Sequence, residues 1–183
     1  MKSDLPKVLH RASGRSLLAH VLETAEASGA QTHYVVVGHG REQVLEELKG
    51  RNFREVWQKE QKGTGHAAQV ALPLFSKEDT LFVIMTGDAP LITPASLSSM
   101  VLAHRAQKSD LTLGVMKLEN PFGYGRVLTG SGGSLKGIVE EKEASPAQKK
   151  ITLDVMVGTK NISEALCKVL KICGAIRLNI IIS

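Results

Sequence analysis

The stretch that most limits how this chain can fold is Leu81-Phe82-Val83-Ile84-Met85-Thr86, closed by Gly87-Asp88-Ala89-Pro90. An unbroken apolar run with β-branched and aromatic members suits a strand covered on both faces of a parallel sheet. Gly87 and Pro90 stop it, which leaves Asp88 at the strand's carboxyl end, where open α/β sheets place their ligands. Taken alone, the same carboxylate reads more readily as a turn-closing residue or a cap for a helix beginning near Pro94.

The flanking segments extend that reading. Leu17, Leu18, Val21, Leu22 and Ala25 share one helical face, with Ser16 as its cap and Ser28-Gly29 as its stop. His33 to Val37 reads as a strand, Arg41 to Lys49 as a short amphipathic helix and Phe53 to Trp57 as a second strand. A helical stretch through Leu74 then leads to the central strand. Pro94 to Gln107 follows as a helix capped by Thr93, with proline in its first turn. Strands alternating with helices predict a mostly parallel α/β sheet with right-handed crossovers. After a strand at Leu111 to Met116 the rhythm changes. Gly123 to Leu128 and Leu135 to Glu140 flank a glycine-rich turn and predict a hairpin. The remainder holds a strand-like Val155-Met156-Val157, a helix-like Ile162 to Ile172 and a terminal run of isoleucines.

At 183 residues one domain is expected. The 43% apolar and 22% charged fractions exclude disordered and collagen-like classes. The net charge of +5 is scattered and lacks interleaved aromatics, so anionic small molecules fit better than nucleic acid. No apolar stretch reaches membrane-spanning length and no signal-peptide core is present, and Cys167 and Cys173 lack a metal-ligand pattern. A cytoplasmic protein is expected.

Several residues could carry chemistry. Gly63-Thr64-Gly65-His66 opens a helix after a strand, so its backbone amides can approach a ligand; as a bare glycine pair it is also a tight turn. Gln58 and Gln61, each both donor and acceptor, suit the edge of a nucleobase near such a loop. Lys7 can meet a phosphate as a point charge, although an isolated lysine is ordinarily solvated surface. Asp88 is a candidate magnesium ligand, because that ion keeps several waters and takes one or two carboxylates together with substrate phosphates. The six histidines form no metal or triad spacing; His39 and His66, beside glycines, read as residues that orient loops.

Ser3-Asp4-Leu5-Pro6-Lys7-Val8-Leu9-His10, Glu60-Gln61-Lys62-Gly63-Thr64-Gly65-His66-Ala67, Gly87-Asp88-Ala89-Pro90-Leu91-Ile92 and Gly123-Tyr124-Gly125-Arg126 together resemble one family. It is the uridyltransferase domain of the bifunctional bacterial N-acetylglucosamine-1-phosphate uridyltransferase / glucosamine-1-phosphate acetyltransferase, matched in motif order and spacing over residues 1–150. The resemblance implies a Rossmann-like nucleotidyltransferase fold joining UTP to N-acetylglucosamine 1-phosphate with release of pyrophosphate and with Mg2+ required. It further implies that Lys7 holds phosphate, Gln58, Gln61, Gly63 and Thr64 read uracil, and Asp88 binds the metal. Gly125 and Glu140 would contact the amino sugar, and Gly87 would let the nucleoside approach the backbone.

The family's first strand and glycine-rich phosphate loop have no counterpart in the residues from Met1 onward. At the other end, Thr152 stands where a sugar-contacting asparagine is expected. The expectation is therefore a single truncated domain over residues 1–183 that lacks the family's first strand, with neighbouring strand edges left unpaired and with 151–183 as a divergent tail. The rival functional reading is a non-catalytic remnant that binds nucleotide weakly or not at all.

Overall fold

A computed structural model describes residues 4–60, 62, 64–74, 79–108, 112–116, 118–131, 135–139, 141–149, 155–156 and 177–182. The polar segment ahead of the first helix forms a 3₁₀ turn (Lys7–Leu9) and a small antiparallel ribbon of β1 (Arg11–Ala12) and β2 (Arg15–Ser16). Ser16 then accepts a hydrogen bond from the Ala19 N–H at 3.1 Å, as an N-cap should, and starts α1 (Leu17–Ala27). Strand β3 (Thr32–Val37), helix α2 (Arg41–Glu47), strand β4 (Arg54–Trp57), helix α3 (Thr64–Ala71) and strand β5 (Asp79–Met85) follow in the expected alternation. Helix α4 (Pro94–Gln107) is capped by Thr93, whose hydroxyl accepts from the Ser96 N–H at 3.1 Å.

Period-two alternation along β3 distributes side chains to the two faces of the sheet. Val35 and Val37 join Leu18, Val21, Leu22 and Ala25 of α1, Val44 of α2 and Leu97 of α4 in one buried cluster. Tyr34 and Val36 face the other way and pack with Val56 of β4 and with Ala67 and Ala71 of α3. Strand β5 divides similarly, with Val83 and Met85 against the first cluster and Ile84 against the second. Helices on both faces of a parallel sheet are the α/β architecture that the apolar run of β5 requires.

Beyond α4 the described elements are short: β6 (Val115–Met116), β7 (Arg126–Thr129), β8 (Leu135–Val139), α5 (Pro146–Lys149) and β9 (Val155–Met156). Strands β7 and β8 pair antiparallel as the expected hairpin, and β9 pairs antiparallel with β6.

The last strand, β10 (Arg177–Ile182), corrects the expectation of open edges. The sheet order is β4-β3-β10-β5. Strand β10 runs parallel to both neighbours, with Ile180 opposite His33 on one side and Val83 on the other. The segment Arg177–Ile182 thus lies between β3 and β5 and satisfies ladder groups on both. Cys167, Cys173 and Thr152, and the helix expected at Ile162 to Ile172, lie outside the described residues. Among the described residues no helix is long and apolar enough to cross a membrane.

Candidate functional site

All four strands of the main sheet run in one direction, so their carboxyl ends share one edge. Register places Val37 beside Trp57, and Ile182 beside both Val35 and Met85. Gly38, Gln58 and the Thr86-Gly87-Asp88 segment leave the sheet together at that edge. Thr86 and Gly87 are buried where β5 ends, while Asp88 is partly open.

Lys7 reaches this edge from the 3₁₀ turn near the start of the chain. Its Nζ lies 2.6 Å from Asp88 Oδ2, an ion pair between residues 81 positions apart. The lysine side chain is 66% exposed and the aspartate 30%, so the pair adds little to stability, about 0–1 kcal/mol. Its consequence is positional: an ammonium and a carboxylate are held next to one another, within reach of solvent. Pro6 sets the turn, its carbonyl accepting from the Leu9 N–H at 2.9 Å. Gly40, the residue before α2, has φ +68° and sits directly against Pro6; a Cβ there would overlap Pro6 Cγ. A bare backbone at Gly40 is what lets the Lys7 turn seat on the β3–α2 loop.

On the other side of the edge, Gln58 follows β4 and is buried, its N–H donating to the Val37 carbonyl at 2.8 Å. Its amide nitrogen lies 3.0 Å from Nδ1 of His66 in the first turn of α3. That bond fastens the end of β4 to the amino end of α3, whose leading N–H groups have no intrahelical partner and suit an anion. The expected loop-orienting role of His66 would act through this contact with Gln58. Thr64 is the first residue of α3. Gln61 and Gly63 lie outside the described residues.

Gly125 immediately precedes β7, in a turn whose Phe122 and Tyr124 are exposed. Glu140 lies outside the described residues. Two neighbours to which the sequence assigned no role, Arg126 and Glu141, hold this region together. Arg126 is 2% exposed and donates through Nη2 to Glu141 Oε2 at 2.7 Å and through Nη1 to the Tyr124 carbonyl. Lys149 of α5 approaches the other oxygen of Glu141 at 3.7 Å. Burial raises the Glu141 carboxyl, but the hydrogen bond and charge of Arg126, the charge of Lys149 and an N–H from Gly123 outweigh it and hold the group below its usual value of 4.5. The available signal was the adjacent pair Glu140-Glu141, of which only the first has a place in the family motif.

Among the described residues no three metal-ligating side chains cluster. Asp88 still fits a magnesium ion of the kind held mainly by substrate phosphates and water, since Lys7 engages only Oδ2. The groove between the Lys7 turn and α2 is a different surface. Leu5, Leu9, Glu42, Gln43, Glu46 and Glu47 line it, and its carboxylates have the wrong sign for a polyphosphate.

A parallel α/β sheet with a cation and a carboxylate paired at its carboxyl edge is suited to a phosphorylated ligand. The chain belongs to the MobA-like NTP transferase domain family, whose model matches residues 1–140. Among its relatives, the bifunctional protein GlmU of Syntrophomonas wolfei is 42% identical over 151 residues, 82% of this chain and 33% of the relative. That of Chromohalobacter salexigens is 45% identical over 152 residues, 83% of this chain and 33% of the relative. The chain spans about a third of the length of these relatives. In fold it is similar to HddC from Yersinia pseudotuberculosis, with TM-score 0.65 at 18% identity over 99% of this chain and 83% of that one. It is also similar to an apo UDP-glucose pyrophosphorylase, with TM-score 0.69 at 17% identity over 91% and 80%.

Proposed function

We propose that this chain transfers a uridylyl group from UTP to N-acetylglucosamine 1-phosphate in the cytoplasm. The observation that carries the reading is the Lys7–Asp88 pair, 2.6 Å apart at the carboxyl edge of the parallel sheet. In this reaction a phosphate oxygen of the sugar phosphate attacks the α-phosphorus of UTP. The new O–P bond forms as the bond to the β-phosphate oxygen breaks, and pyrophosphate leaves with the displaced electron pair. The substrate supplies the nucleophile, so the protein needs only to align the partners and neutralise charge.

Lys7 offers its ammonium to the phosphates, and Asp88 would hold Mg2+, which would supply positive charge to offset that of the phosphate oxygens. Gln58, Gln61, Gly63 and Thr64 receive the uracil at the amino end of α3. Gly87, having no side chain, admits the nucleoside against the end of β5. Gly125 and Glu140 take the amino sugar from the hairpin side. Relatives that are 42% and 45% identical and named bifunctional protein GlmU support the nucleotidyl-transfer reading.

The test is pyrophosphate release by the purified chain with UTP, N-acetylglucosamine 1-phosphate and Mg2+. Asp88→Ala is expected to lower turnover by about a hundredfold or more. Absence of release from the parent chain, together with no UTP-dependent rise in melting temperature, would establish the non-catalytic reading instead.

A further inference from the structure

We propose that Arg126 is a positioning residue for the sugar-phosphate side of the site, its buried guanidinium fastening the turn that carries Gly125 to the segment that follows Glu140. The inference rests on the nucleotidyl-transfer reading above for the identity of the ligand. Its geometry stands apart from that reading.

Gly125 is bracketed on both sides. Before it, the Tyr124 carbonyl accepts from Arg126 Nη1, and the Gly123 N–H donates to the carboxylate of Glu141. After it, Arg126 itself enters β7 with its guanidinium almost wholly buried and bonded to Glu141 Oε2 at 2.7 Å. The three residues around Gly125 thus meet on one carboxylate and one guanidinium. Glu141 directly follows Glu140 in the chain, so the cluster includes the sequence neighbour of the second residue assigned to the amino sugar. A guanidinium is a rigid planar fork, and only that shape serves the Tyr124 carbonyl and the Glu141 carboxylate at a set separation. Lys149 of α5 adds a second positive charge at 3.7 Å from Glu141.

Stability alone is a poor account of the cluster. A buried ion pair is often no more stabilising than apolar residues of equal volume, because both charges are stripped of water. Here one donor is also left over: among the described residues, Arg126 Nε is buried with no hydrogen-bond partner. An arrangement that tolerates an unpaired buried N–H to keep two others in register is set by geometry. The two loops it ties are those assigned to the amino sugar, and small misplacements of a bound reactant cost large factors in rate.

The test uses Arg126→Met, which keeps length and apolar bulk, Arg126→Lys, which keeps charge but loses the fork, and Glu141→Gln. In Arg126→Met and Arg126→Lys the KM for N-acetylglucosamine 1-phosphate is expected to rise about tenfold, with the KM for UTP within about twofold of the parent. Deuterium uptake of residues 121–126 should quicken in the same variants. Glu141→Gln should lie between them and the parent. Equal rises in both KM values, parental behaviour of Arg126→Lys, or unchanged exchange across 121–126 would each overturn the inference. If Arg126→Met does not fold, Arg126→Lys carries the comparison. A parent chain that releases no pyrophosphate defeats the nucleotidyl-transfer reading, while the exchange result still decides whether Arg126 holds the turn.

Discussion

One methyl group at position 40 would measure how tightly Lys7 is placed. Gly40 lies in the left-handed region, and a Cβ there would run into Pro6, the residue before Lys7. Gly40→Ala is expected to destabilise the fold by about 1–3 kcal/mol through backbone strain and the forced movement of Pro6. It should lower turnover further than that loss explains, because the Lys7 ammonium shifts from Asp88. Urea denaturation and pyrophosphate release on the same preparation separate the two effects, and parental values in both would show that Pro6 yields without moving the lysine. At this scale motifs named Lys7 and Asp88 separately, and the structure adds that the two side chains meet. A motif included Arg126 without a role, because nothing in a string of letters marks an arginine as buried. Nor did the sequence reveal that Gln58 is engaged by His66, which depends on how α3 is seated against β4.

Among the secondary elements, β10 carries the sheet. It is hydrogen-bonded on both sides, with Ile180 opposite His33 and Val83. Ile180→Pro removes a backbone donor from the middle of the ladder and is expected to cost about 3 kcal/mol or more, a large part of a domain's net stability. The expected outcome is loss of the cooperative thermal transition followed by circular dichroism. Ile180→Val, which keeps the donor and the β-branched shape, should stay close to the parent. A cooperative transition in Ile180→Pro would place β10 outside the native sheet. The helices and strands up to α4 were legible because caps, periodicity and stop signals are local, as Ser16 and Thr93 illustrate. The seat of β10 was not. A run of isoleucines states that a strand exists, but its partners are set by which sheet edges remain open far away in the chain.

For the molecule as a whole, acid is the informative variable. Burial raises the Glu23 carboxyl, but hydrogen bonds and charges from Arg51 and Arg15 outweigh it and hold the group below 4.5, as happens at Glu141. A carboxyl depressed in the folded state contributes stability that is present above its unfolded value and is lost as pH falls through the folded one. Stability should therefore be level near neutrality and decline below pH 4.5, while the net charge of +5 grows more positive and adds repulsion. Glu23→Gln should be less stable than the parent at pH 7 and approach it at low pH. Urea titrations across that range check the sign, and a gap between the two proteins that widens on acidification would refute it. The parallel α/β class was legible from β5 alone, since a strand apolar on both faces demands helices on both sides. The completion of the sheet was not, because it joins distant parts of the chain.

The placement of β10 also imposes an order in time. Strands β3 and β5 are to be separated in the sheet by a strand that leaves the ribosome about ninety residues after β5, several seconds later at ordinary rates of synthesis. Until then the nascent chain holds a gap flanked by two apolar strands whose facing groups are unpaired, a template for any extended segment that passes. The interval between emergence of β5 and arrival of β10 is accordingly the period in which this chain is most exposed to mispairing, and in which a chaperone has most to shield.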